Sequence, residues 1–321
     1  MTDSSGQYAV NRLGNAMHTI IIIAAMAALF GVLGWIIFGN VGLVTALVLV
    51  LVLALSTPKI SPFMVLKMYG ARRLTYEEAP WLYETIIELT RRAGLERMPV
   101  PYYVPSRVMN AFSVGSKENS AIALSDGLIR FLNRREITGV LAHEISHITN
   151  NDLRLHALAD VMTRITSSLS FLGQILIILY LPLAVFSQTR ISFVLILLLI
   201  LAPTLSIMLQ LALSRTREFD ADLTAAHLTD DPISLASALK KMDNIERSIW
   251  DTIFLPGRKV PQPSMLRTHP HTKERVERLL SLAPVKKESI PVPHSLSEDI
   301  IPGHIPEVHR LPSWHWFRPW Y

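Results

Sequence analysis

No charged side chain occurs between Arg12 and Lys59, and this apolar run is broken only at FGNVG, 38–42. The pattern predicts two apolar helices, 17–38 and 41–56, joined by a tight turn. At about 1.5 Å per residue the first crosses roughly 30 Å of hydrocarbon, and the second does so only with help from its flanks. The first is too long for a cleaved leader and lacks a small-residue exit. A second apolar pair lies between Arg164 and Arg215, interrupted at FSQTR, 186–190. Its first half, 165–186, carries Ser167, Ser168, Gln174 and Pro182, residues a spanning helix tolerates when neighbouring helices satisfy them; its second, 191–213, is more uniformly apolar. The alternative for this pair is a buried hairpin in a soluble core.

Two polar blocks flank and separate the apolar pairs, 57–163 and 214–321. In the first, Thr75 and Glu78 stand in capping-box register before an amphipathic stretch that stops at Gly94, which predicts a helix between them. Residues 100–127 mix β-branched and aromatic residues with Pro101, Pro105, Gly115 and Gly127, the pattern of short strands in a small sheet. A second capping box, Asn133 with Glu136, opens a helix carrying Ile137, Val140, Leu141, Ile145 and Ile148 at helical spacing. The second block reads as helices over SRTREFDADLTAAHL, over a stretch that Asp231 can cap, and over HTKERVERLLSL. From Pro284 onward the chain is Pro-rich and ends in LPSWHWFRPWY, for which irregular structure is expected and where Trp and Tyr would suit a bilayer interface.

Composition supports membrane embedding: 50% of the residues are hydrophobic and the mean hydropathy is +0.32. Four crossings would leave both termini and both polar blocks on one side. That side carries Arg12, Lys59, Lys67, Arg72, Arg73, Arg164, Arg215 and Arg217 near the spans, and the far side Arg190 alone, so the bias predicts a cytoplasmic orientation. The net charge of +5 is not gathered into basic runs with interleaved aromatics, which argues against a nucleic-acid partner. With 0 cysteines, any metal must be held by His and carboxylate oxygen.

The chemistry concentrates in LAHEISHITNND, 141–152. His143 and His147 are four apart, so on a helix both rings leave one face and can reach one ion. Glu144, one residue round, can serve as general base toward a water activated by zinc. A third ligand is needed, and REFDAD offers Glu218, with Asp222 one turn on to accept the N–H of a ligand histidine. On the residues alone, such a carboxylate pair is more often a solvated helix face. His227 lies about half a turn round from Glu218, and His294, His304, His309 and His315 lack ligand spacing, so none is assigned to metal.

The ordered set HEISHITNND, an apolar hairpin, SRTREFDAD and THPHTKERV resembles the HtpX-type membrane zinc endopeptidases, relatives of the CAAX prenyl proteases, from the first hairpin to about residue 283. The resemblance implies one zinc ion on His143, His147 and Glu218, Glu144 as catalytic base, and Asp222 behind a ligand. Asn150 and Asp152 would close the helix and orient neighbours. Asn110, Ala111 and Phe112 would be an edge strand holding extended substrate. His269, ahead of its neighbour His271, would sit near the oxyanion, with Arg275 anchoring that region.

The expectation is an α+β fold, a zincin-like, mostly helical metallopeptidase domain with a small sheet, plus four transmembrane helices in two hairpins. Its division is 1–16 tail, 17–56 hairpin, 57–163 first catalytic part, 164–213 hairpin, 214–283 second catalytic part and 284–321 tail. The expected function is zinc-dependent cleavage of polypeptides at the cell membrane, in quality control of damaged membrane proteins. The rivals are specific processing of membrane-tethered peptides, and a scaffold whose zinc is structural; an open fourth metal position argues against the latter.

Overall fold

The computed structural model describes residues 3–55, 62–187, 193–253 and 272–282. His269, His271 and the segment from 283 onward lie outside these. Helix α1, Asp3–Leu55, is interrupted at Gly39, whose φ of 63° and ψ of −149° are open to glycine. A Cβ on Gly34 would stand 2.6 Å from the Gly42 carbonyl oxygen, and one on Gly42 1.9 Å from that of Gly34. Eight residues along a straight helix span about 12 Å, so the chain doubles back inside FGNVG. The two halves touch through bare backbone. Gly42→Ala is expected to push them apart at a cost of about 1–3 kcal/mol, read as a lowered unfolding midpoint in detergent. Gly14→Ala, where nothing lies within 4 Å, should be neutral or mildly stabilising.

After the short helix α2, Pro62–Met68, come strand β1, Arg72–Arg73, and helix α3, Pro80–Arg92. The expected start at Thr75 is corrected: Glu78 does accept the Thr75 N–H, at 2.9 Å, but the pair closes a turn. Pro80 occupies the first helical turn and forces Ala79 out of the helical region, to φ −145°, ψ 64°, so no helix can run through from Thr75. Gly94 ends α3 as anticipated, at φ 66°, with Leu95 N–H bonding back to Thr90 O at 3.1 Å.

Strands β2, Val100–Val104, β3, Ala111–Ser116, and β4, Asn119–Ser125, complete a mixed sheet of order β1-β2-β4-β3. Only β2 and β4 run parallel. On β4, Ile122 and Leu124 enter the main core, while Ala121 and Ala123 face Leu66 of α2. The alternation covers both faces of the sheet and leaves β3 at its edge.

Beyond α4, Asp126–Phe131, helix α5, Arg134–Thr149, opens on the anticipated capping box between Asn133 and Glu136, a feature contributing about 1 kcal/mol. Helices α6, Asp152–Ser187, and α7, Phe193–Thr229, form an antiparallel pair. Pro203 within α7 has no N–H for the Leu199 carbonyl one turn back. That carbonyl instead accepts from Ser170 Oγ and from Gln174 Nε2 at 2.9 Å, so the polar residues of the first helix serve the proline of the second.

Among the described residues, three helical stretches are long and apolar enough to cross a membrane, Arg12–Leu55, Asp152–Tyr180 and Phe193–Thr229. They pack together through Met26 with Leu158, Met162 and Leu213, and Leu33 with Leu199 and Ala202. The last elements are α8, Pro232–Ile253, where Asp231 Oδ1 accepts the Ser234 N–H at 3.2 Å, and α9, Thr272–Ser281. Helix α5 lies between the sheet on one side and α7 and α8 on the other, buried from Glu136 to Ile148.

Candidate active site

That all-round burial excludes a solvated histidine face and obliges every polar group on α5 to find a partner. His143 and His147 are 3% and 7% exposed, with their Nε2 atoms 3.1 Å apart. Helix α7 runs out of the apolar hairpin to place Glu218 against both, Oε2 at 3.4 Å from His143 Nε2 and Oε1 at 3.6 Å from His147 Nε2. Atoms bound to zinc at about 2.0–2.1 Å in tetrahedral array stand about 3.3–3.4 Å from one another. The triangle of donors therefore fits such an ion, and these three residues could hold a metal.

Each ring is held from behind by a carboxylate. His143 Nδ1 is 3.0 Å from Asp222 Oδ1, and His147 Nδ1 is 2.8 Å from Asp152 Oδ2. With the hydrogens on Nδ1, both Nε2 lone pairs face Glu218. Arg275 of α9, 1% exposed, forks onto Asp222 through Nε and Nη2, both at 2.7 Å. Its Nη1 lies 2.8 Å from Glu218 Oε2 but off the angle of a hydrogen bond, so this contact is Coulombic.

Burial alone would depress the His143 pKa, but Asp222 and Glu218 outweigh it and lift the ring to about 9, so an ion binding there must displace the Nε2 proton. Burial would raise Asp222, yet Arg275 and His143 hold it at about 2. Arg275 is pushed further up despite its burial, by Asp222, Glu218 and Glu144. Among the described residues, the buried carboxylates around the triangle, Glu144, Asp152, Glu218, Asp220 and Asp222, outnumber the buried guanidiniums Arg217 and Arg275. A dication on the triangle offsets much of that excess.

Profile comparison matches residues 76–283 to peptidase family M48. The chain belongs to peptidase family M48. The match contains α5, Glu218 and Arg275, and M48 membership makes the protein a metalloendopeptidase, a hydrolase of peptide bonds. Among M48 relatives, protease HtpX homologs of Sulfurihydrogenibium sp. and Pyrococcus abyssi are 32% identical over 294 residues and 35% over 290, each alignment covering 84% of this chain and 97% of the relative. The crystal structure of Ste24p from S. mikatae aligns at a TM-score of 0.45 and 20% identity, over 85% of this chain and 66% of that one.

Of the other site residues expected from the sequence, Asn150 caps α5 and donates to Asp220 Oδ2 at 3.3 Å. Asn110 enters the edge strand, exchanging backbone and hydroxyl hydrogen bonds with Ser125 at 2.9 Å. Ala111 is buried, and Phe112 packs against Tyr69 in a tilted pair with ring centroids 4.9 Å apart. His227 is exposed. The sequence reading missed Arg217 and Asp220 as parts of the site and counted Arg217 only as a membrane-flanking charge. Their i, i+3 spacing between apolar stretches was the available signal.

Proposed function

We propose that this M48 chain is a zinc-dependent endopeptidase of the cell membrane that crosses the bilayer four times, with its active site on the cytoplasmic side. Its substrates are extended segments of misfolded or damaged membrane proteins, cleaved in quality control under stress. The observation that carries this reading is the buried His143, His147 and Glu218 triangle, with a carboxylate behind each ring. Three protein ligands with a carboxylic acid beside them are the pattern of catalytic rather than structural zinc.

Zinc held there supplies Lewis acidity and makes water nucleophilic near neutral pH. Glu144 accepts the proton as the peptide carbonyl is attacked and returns it to the leaving amine. Edge strand β3, entered through Asn110, Ala111 and Phe112, offers main-chain hydrogen bonds to an extended peptide, a geometry closed to folded segments. His269 is assigned to stabilising the oxyanion, and Asp222, Asp152, Asn150 and Arg275 to holding the ligands. The doubling-back of α1 at Gly39 supports the four-crossing topology, and the positive charge flanking the spans supports the orientation.

Purified protein in detergent is expected to degrade an unfolded, casein-type substrate, to lose that activity on chelation, and to regain it with zinc. Chelator-resistant cleavage would refute the reading. In sealed vesicles, residues 187–190 should be reached by added protease from the side opposite the catalytic block.

A further inference from the structure

Behind His147 and Asp152 the buried polar chain continues into Arg217 and Asp220, which the proposed chemistry does not use. Asp152, 0% exposed, accepts from His147 Nδ1 at Oδ2 and from Arg217 Nε at Oδ1, the latter at 2.6 Å. Arg217 passes Nη2 to Asp220 Oδ2 at 2.8 Å. Asp220 is fixed in turn by Asn150 Nδ2 at 3.3 Å and, on its other oxygen, by Asn15 Nδ2 of α1 at 3.5 Å. The helices α1, α5, α6 and α7 thus converge on one guanidinium.

We propose that Arg217 is a positioning residue for the metal site, acting through Asp152 on His147; this rests on the metal reading of the triangle. A carboxylate that accepts a single N–H can swing about its own axis. Arg217 engages one oxygen of Asp152 in the interior and leaves the other aimed at His147 Nδ1, which fixes the ring plane and keeps Nε2 as the donor to the metal. A planar fork suits this task because it grips Asp152 with Nε and Asp220 with Nη2 at once, which an ammonium cannot do. Arg275 does the equivalent for His143 through Asp222, so each histidine has its own carboxylate and its own arginine, on different helices.

The test uses the full chain in detergent, with zinc affinity measured by chelator competition and the d–d spectrum of the Co2+-substituted protein as a second readout. Arg217→Lys is expected to weaken zinc binding by about 10–100-fold and to shift the Co2+ spectrum. Asp220→Asn keeps the arginine but loosens its second anchor, and should fall between Arg217→Lys and wild type. Asn133→Ala, which weakens the α5 cap, controls for general destabilisation: it should lower the unfolding midpoint and leave zinc affinity and spectrum unchanged. Wild-type affinity and spectrum in folded Arg217→Lys would overturn the positioning role alone. Absence of zinc binding by the wild-type chain would overturn the metal reading, and the positioning role with it.

Discussion

Replacing Glu144 by Gln is expected to lower proteolysis by about 10²–10⁴-fold, the usual worth of a positioned general base, while zinc remains bound. The two outcomes separate because Glu144 supplies none of the three atoms of the donor triangle. It sits 3% exposed beside the ligands and adds to the negative field around Arg275. Glutamine keeps the volume and removes the basic oxygen. The measurements are metal content and single-substrate kinetics on the same preparation. A variant that keeps zinc and wild-type turnover would mean that another group takes the proton from water.

The second large effect concerns Arg275. Arg275→Met leaves the Asp222 and Glu218 carboxylates, each 4% exposed, without their guanidinium. Breaking a buried pair from one side costs about 3–5 kcal/mol, or roughly 10 °C in the unfolding midpoint for a domain of this size. The loss should be larger in the metal-free protein, because a dication bound by Glu218 offsets part of the same excess charge. Arg275→Lys, with a charge but no fork, should fall between. Thermal unfolding followed by tryptophan fluorescence, with and without added zinc, reads all of these. An unchanged midpoint in metal-free Arg275→Met would show that the carboxylates are compensated elsewhere.

What the sequence disclosed was local. The helix under HEISH is signalled by its capping box and apolar period, both confined to 133–148, and the turn of the first hairpin by FGNVG. Glu218 and Asp222 share a face on any helix, but that spacing alone reads as a solvated face, and only the resemblance of the ordered motifs singled them out. What escaped depends on pairing between helices far apart in sequence. Arg217 looks like any membrane-flanking cation until Asp152, 65 residues earlier, is seen to face it. Arg275 was expected to anchor the site, but its partner was not, because Asp222 lies 53 residues away. The apolar stripe of α5 suggests one buried face, yet α7 and α8 cover the other too, and its polar residues are satisfied there: Glu136, for example, accepts from Ser237 at 2.7 Å and Lys241 at 2.8 Å. The start of α3 was misplaced because Pro80 overrode a capping pattern that looked complete.

In the proposed site a metal held by two residues of α5 is completed by a third from α7, beyond the second apolar hairpin. Zinc per chain, measured by elemental analysis on wild type and Glu218→Ala after removal of loosely bound metal, tests it most directly. One equivalent in the wild type and a large loss in Glu218→Ala is the predicted result. A full equivalent retained by Glu218→Ala would contradict it and require a different third ligand.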